Sequence, residues 1–207
     1  ALCHVVRAFA DDAVYHAYGS VDPVRDIQTI NGEFLLHDLV FVEKRLERLD
    51  KDLKKTPTKN ASLERDLLLR CKDHLEQEKP LRLLPIGDEE ARVIASYPFI
   101  TRKPLIVVLN VGEGMIAAQD LCHSIEALCS PQMVRVVQVA AKTESEIVKL
   151  ETAEERAEFL TALGITEPAM DLLTRELLSL LCRISFFTVG PDEVRQWTVR
   201  QGALAPE

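Results

Sequence analysis

A chain of 207 residues that is 47% hydrophobic and 28% charged has the composition of a globular protein, with one ordinary domain or two small ones. Its net charge of −8 argues against nonspecific nucleic-acid binding by the chain as a whole, because that binding depends on clustered Lys and Arg. No run reaches the roughly 18 apolar residues that span a bilayer, residues 1–10 are too short and wrongly flanked for a secretory signal, and a cytoplasmic address is expected.

The first element is Leu2-Cys3-His4-Val5-Val6, a short apolar run with β-branched residues that reads as a buried strand ending at Arg7 and the acidic turn Asp11-Asp12. His4 within it reads as structural. From there the pattern changes to Leu35, Leu39, Val42, Leu46, Leu49 and Leu53, whose alternating steps of four and three form a coiled-coil seam. The segment Thr56-Pro57-Thr58-Lys59-Asn60 breaks it, and a second helix from residue 61 to about 78 offers Leu68, Cys71 and Leu75 to the returning face. A helical hairpin projecting from a sheet is the simplest arrangement.

Between Glu43 and Lys59 stand seven basic and four acidic residues, a local positive excess near the hairpin tip. RNA or ribosome contact is one reading of it; a solvated, salt-bridged helix face explains the same charges.

Two further strands, Leu105-Ile106-Val107-Val108-Leu109 and a run over residues 133–139, are separated from the first and from each other by helical patterns, as parallel strands joined by crossovers require. The frame is therefore α/β. Directly after the second strand comes Asn110-Val111-Gly112-Glu113, at the carboxyl end where ligands are met in open α/β sheets. In the related N-K-x-D motif of GTPases, the Asp carboxylate accepts two hydrogen bonds from the guanine edge. The longer Glu113 displaces that carboxylate by about one methylene, enough to spoil a bidentate contact held near 2.9 Å. Asn110 can donate to N7 and accept from the N6 amine of adenine, the geometry by which Asn reads adenine in DNA. Val111, where Lys is usual, leaves an apolar surface beside the base. The same four residues could instead form a capping turn after a strand. A second loop, Ala140-Ala141-Lys142-Thr143-Glu144, follows the third strand and offers backbone amides to the base.

Beyond it, Thr152-Ala153-Glu154-Glu155 is a capping box whose helix ends at Gly164. Pro168 opens another helix, where Leu172, Leu173, Leu177, Leu180 and Leu181 suggest substantial burial, before a strand-like run at residues 184–189. Residues 190–207 read as the entrance to a further domain. The five cysteines, Cys3, Cys71, Cys122, Cys129 and Cys182, show no C-x-x-C spacing, and no two histidines are set four apart on a helix. Reduced, mostly buried thiols are expected, with no disulfide framework or zinc site.

Taken together, these segments resemble the YchF-type (Obg-like) ATPases over almost the whole chain. The marks are His4-Val5-Val6-Arg7-Ala8-Phe9, Val21-Asp22-Pro23, Asp26-Ile27, Asn31 with Glu33 and Asp38, Asn110 to Glu113, and Glu144-Ser145-Glu146-Ile147. Towards the end come Phe186-Phe187-Thr188-Val189-Gly190, Glu193-Val194-Arg195-Gln196-Trp197 and Gly202-Ala203-Leu204-Ala205-Pro206. Two departures stand out: Ala140-Ala141 where Ser-Ala is usual, which removes a hydroxyl, and Gln196 in place of a small residue before Trp197.

The resemblance implies a partial P-loop NTPase domain, a Rossmann-like three-layer α/β fold interrupted by a helical coiled-coil hairpin and followed by a small TGS domain. On that pattern, residues 1–27 and 98–185 are parts of the nucleotide-binding domain, 28–97 the insertion and 186–207 the start of the TGS-like domain. The implied ligand is ATP with magnesium. Its base is met by Asn110, Val111, Glu113, Ala140 and Ala141, and the magnesium ligands, the Walker A loop and the switch segments are expected before Ala1. No G-x-x-x-x-G-K-[ST] occurs in the sequence, so these residues alone are expected to be inactive and no catalytic residue is named. The expected function is the nucleotide-binding part of a cytosolic ATP hydrolase acting with ribosomes. Its rivals are a GTP-binding protein of the same fold and a non-enzymatic module that binds RNA, ribosome or protein.

Overall fold

The computed structural model describes residues 1–55 and 58–204. Thr56 and Pro57, part of the expected hairpin break, and the final Ala205-Pro206 of the resemblance lie outside the described residues. The chain divides into two compact units, one of Ala1–Val21, Leu105–Leu128 and Val134–Glu207, the other of Asp22–Pro104 and Cys129–Met133.

In the first unit, β1 (Leu2–Ala8), β2 (Leu105–Val111) and β3 (Val134–Val139) form a parallel sheet in the order β1-β2-β3. The α/β frame read from the sequence is the observed one. As the central strand, β2 has Leu105 to Leu109 all buried, the near-continuous apolar pattern of a strand covered on both faces. By contrast β1 is not the buried strand its composition suggests. Val6 and Ala8 are buried while Val5 is 62% exposed and Cys3 is exposed, because successive side chains of a strand point to opposite faces and only one face of β1 is covered.

Helix α7 (Ala169–Leu180) lies over Ile106, Val108, Val137 and Val139 with Leu172, Leu173, Leu177 and Leu180. Those leucines are only half-buried, and Leu181 is exposed. A helix on a three-stranded sheet covers one stripe and leaves the rest to solvent. The predicted capping box is present: Thr152 Oγ1 accepts from the Glu155 amide at 3.2 Å while Glu155 Oε2 accepts from the Thr152 amide at 3.2 Å, opening α6 (Ala153–Ala162). Gly164 follows its end with φ +73°, the left-handed conformation that glycine takes at no steric cost.

The helix expected between the second and third strands is α4 (Asp120–Cys129), whereas α3 (Asp88–Val93), α5 (Ala141–Ile147) and the strand β5 (Val194–Arg200), which pairs antiparallel with β4 (Arg183–Val189) and sets Phe186 opposite Trp197, were not foreseen. Almost all of this hairpin is exposed, Trp197 at 47%, with its indole N–H donating to Thr188 Oγ1.

The second unit is built on the helical hairpin. Helix α1 (Pro23–Lys55) starts earlier than the coiled-coil seam, because Asp22 caps it by accepting from the Arg25 amide at 3.1 Å and Pro23 supplies a first residue with no amide to satisfy. That explains why Val21-Asp22-Pro23 stands together in the sequence. Helix α2 (Lys59–Glu76) is capped by Thr58. The seam closes as its spacing requires, with Val42, Leu46 and Leu49 buried against Leu67, Leu68, Cys71 and Leu75. Burial pushes the Cys71 thiol up to about 11, so it behaves as a packed apolar group. Cys122 and Cys129 are buried too, whereas Cys3 and Cys182 are exposed.

Two polar groups fasten the hairpin base. Asp38, fully buried, accepts from the Ile100 amide at 2.9 Å, the Thr101 amide at 2.7 Å and the Thr101 hydroxyl at 2.7 Å. Thr101 Oγ1 in turn accepts from the Leu81 amide at 3.1 Å. Nearer the tip, Arg45 donates to Glu64 at 2.6 Å and to the Tyr97 hydroxyl at 3.0 Å, and Tyr97 donates to Glu64. Burial first, and then the hydrogen bond to Glu64, push the Tyr97 hydroxyl up to about 12, so it stays a donor at any physiological pH. Its ring meets Phe41 and Phe99 edge to face.

Candidate functional site

The site lies where β1, β2 and β3 end together. The register places Arg7 beside Asn110 and Asn110 beside Val139, so the segments that follow the three strands converge. They enclose a cleft of about 270 Å³ whose walls include Phe9, Asn110, Gly112, Glu113, Lys142 and Thr143. The opening at the carboxyl end of a parallel sheet is the usual ligand position in such folds.

Asn110, the half-buried penultimate residue of β2, is the joint of the site. Its Oδ1 accepts from the Ala141 amide at 3.2 Å, tying the loop after β2 to the segment after β3. The Nδ2 group keeps two N–H donors. The sequence reading gave Oδ1 to an adenine amine; in the structure one of its lone pairs holds Ala141.

Val111 is 3% exposed and contributes only an edge of apolar surface. Gly112 begins a tight turn in which the Met115 amide donates to the Gly112 carbonyl and the Ile116 amide to that of Glu113. The Gln138 side chain fastens the turn from β3 by donating to the carbonyls of Met115 and Ile116 at 2.9 and 3.1 Å. Glu113 is exposed on the first residue of this turn, so its carboxylate reaches the cleft on a fixed backbone.

The segment after β3 is not the loop that was expected. Ala140 is buried and Ala141 starts α5, so the amides available there are those of a first helical turn. Glu144 turns away from the cleft. It accepts from the Ala169 amide at 2.6 Å, and burial raises its carboxyl above the ordinary range despite that contact. Its place in the motif is therefore explained by the start of α7.

Sequence reasoning missed one group. Arg7 donates through Nε to the Phe9 carbonyl at 3.0 Å, through Nη1 to Val14 at 2.8 Å and through Nη2 to Asp11 at 2.9 Å. Its guanidinium also sits 4.8 Å from the centre of the Phe9 ring, within cation–π range. Phe9 packs beside Gly112, where an added Cβ would stand 3.5 Å from that of Phe9. The trace of Arg7 and Phe9 in the sequence is the segment His4 to Phe9, in which Arg7 stands near the end of β1 and Phe9 directly follows that strand. Among the described residues, no three His, Cys, Asp or Glu side chains gather into a metal site, and no helix is long and apolar enough to cross a membrane.

No protein-family model matches the chain. It is 41% identical over 210 aligned positions to the ribosome-binding ATPase YchF of Bacillus subtilis, an alignment that takes in 100% of this chain and 57% of that protein. It is 32% identical to Obg-like ATPase 1 of Caenorhabditis elegans, over 100% of this chain and 53% of the relative. In three dimensions it matches a solved structure of the Schizosaccharomyces pombe YchF GTPase, with a TM-score of 0.84 and 30% identity over 100% of this chain and 56% of that one. The resemblance to the YchF-type, Obg-like ATPases read from the motifs thus holds from one end of the chain to the other, and so does the α/β fold of the P-loop type. The chain spans a little over half the length of the relatives it matches.

Proposed function

We propose that the cleft receives the adenine base of ATP and that these residues form the base-recognition part of a cytoplasmic ATP hydrolase. The observation that carries this reading is the Asn110 to Ala141 hydrogen bond. It ties Asn110 to the start of α5, which supports a reading in which Nδ2 donates to an acceptor such as purine N7 and the first amides of α5 lie along the same ring. Glu113 then decides between bases. A guanine-reading carboxylate must meet two donors at once, and one extra methylene on a backbone fastened by Gln138 spoils that pairing. The phosphates and magnesium are not assigned to any residue here, and hydrolysis is not routed through this cleft.

The test is competition between ATP and GTP in the full-length protein. The wild type is expected to prefer ATP, and Glu113→Asp to move the preference toward guanine by about 1–2 kcal/mol, the worth of a well-placed charged hydrogen bond. Equal or tighter GTP binding by the wild type would overturn the reading in favour of a GTP-specific protein.

A second reading concerns the hairpin tip, where Lys51, Lys54, Lys55 and Lys59 are exposed. Arg45 and Lys72, by contrast, are committed to Glu64 and Glu43. The exposed lysines, together with the ribosome-binding description of the bacterial relatives, support ribosome association through this tip. Reversing Lys51 and Lys54 to Glu should weaken cosedimentation with ribosomes and make what remains less dependent on salt, while nucleotide affinity stays constant. Unchanged cosedimentation would leave the tip as a solvated helix face.

A further inference from the structure

We infer that Arg7 is the positioning residue of the base cleft, acting through Phe9, a role that rests on the nucleotide reading above. The side chain is spent entirely on its own loop. Three of its N–H directions go to the carbonyls of Phe9, Asp11 and Val14 within 3.0 Å, and its planar face lies over the Phe9 ring. Backbone carbonyls that converge on one guanidinium cannot drift apart without stranding several donors, so the chain from Phe9 to Val14 is held as one piece. The Asp11 carboxylate adds to this by accepting from the Ala13 amide at 2.9 Å, and the Asp11 carbonyl accepts from the Val14 amide.

The consequence for the site is geometric. Phe9 is the aromatic side chain in the wall of the cleft, set against Gly112. A ring in that place offers a flat base a stacking face that does not discriminate between purines. Arg7 orients it: the guanidinium covers one face of the ring and pulls on its carbonyl, leaving the other face for the ligand. The structure therefore separates two tasks, with Glu113 selecting the base and the Arg7–Phe9 pair supplying affinity common to all purines.

Lys cannot reproduce a three-way fork, so Arg7→Lys in the full-length protein is the informative change. Hydrogen exchange in the unliganded protein reads the loop directly, and the Ala13 and Val14 amides should exchange at least about tenfold faster in the variant. Affinity for ATP and for GTP should fall together by about tenfold, the scale of one lost stacking contact. Affinity for inorganic tripolyphosphate, which has no base, should not move. Phe9→Ala should cause the same loss without disturbing exchange at Ala13, and the double variant should be no weaker than either single one.

Unchanged exchange in Arg7→Lys overturns the clasp. Losses that multiply in the double variant, or an equal loss for tripolyphosphate, overturn the route through Phe9. A wild-type protein that binds ATP no better than tripolyphosphate overturns the base reading itself, and the exchange result then still decides whether Arg7 orders the loop.

Discussion

Replacing Asp38 with Ala should destabilise the hairpin unit by about 3–5 kcal/mol, the cost of removing one side of a buried, hydrogen-bonded charge network. The carboxylate is wholly buried and accepts three hydrogen bonds from two consecutive residues, Ile100 and Thr101. Truncation leaves two amides and a hydroxyl without their acceptor in a place water does not reach, and Thr101 then loses its hold on the Leu81 amide. Asp38→Asn keeps one acceptor oxygen but turns an NH₂ group toward donors, so it should cost less than Ala and more than a surface change. Chemical denaturation followed by circular dichroism reads both. A loss below about 1 kcal/mol for Asp38→Ala would mean that the chain near residue 100 is held by its apolar contacts, and that the carboxylate contributes only local geometry.

Asn110→Ala should lower the affinity of the full-length protein for ATP by about 2–4 kcal/mol, because one truncation removes two contacts of about 1–2 kcal/mol each. The first is the base donor on Nδ2. The second is the acceptor that holds the Ala141 amide, without which the start of α5 is no longer fixed beside the cleft. Since N7 is common to both purines, GTP affinity should drop in parallel, in contrast to Glu113→Asp, which changes the ratio. Calorimetric titration of both nucleotides distinguishes the two behaviours. An Asn110→Ala variant that binds ATP as the wild type does would remove this cleft from consideration.

Legibility in the sequence followed how locally each feature is encoded. The hairpin seam was readable because Val42, Leu46 and Leu49 and their partners Leu68, Cys71 and Leu75 repeat at helical spacing within a single stretch. The strand β2 was readable because five consecutive apolar residues have few other uses. Burial was harder. Strand β1 has the composition of a core strand, but which of its faces is covered depends on elements distant in sequence, and so does the half-burial of the α7 leucines.

Helix α5 was hidden because Ala140-Ala141-Lys142-Thr143-Glu144 lacks a capping side chain, and β5 because it becomes a strand only by pairing with β4. At the site, Asn110 to Glu113 was visible as a contiguous motif after a strand. The Asn110–Ala141 and Arg7–Phe9 arrangements were not, since strand register brings the first together and backbone carbonyls, which carry no side-chain signature, make the second.

The insertion of a whole helical hairpin between two strands that are neighbours in the sheet sets the order of events as the protein forms. Contacts within the hairpin join residues close in sequence, so α1 and α2 can zip together on the fast timescale of local structure, whereas β1 meets β2 only by closing a long loop. During synthesis β1 emerges before β2, and its pairing with β2 must wait until the hairpin and then β2 have been made. Early completion of the hairpin shortens that wait in effect, because a folded insert brings the ends of the loop within reach sooner than a disordered chain of the same length. A variant that slows hairpin formation should therefore reveal itself first as aggregation of the nascent chain through β1, before any loss is seen in the finished molecule.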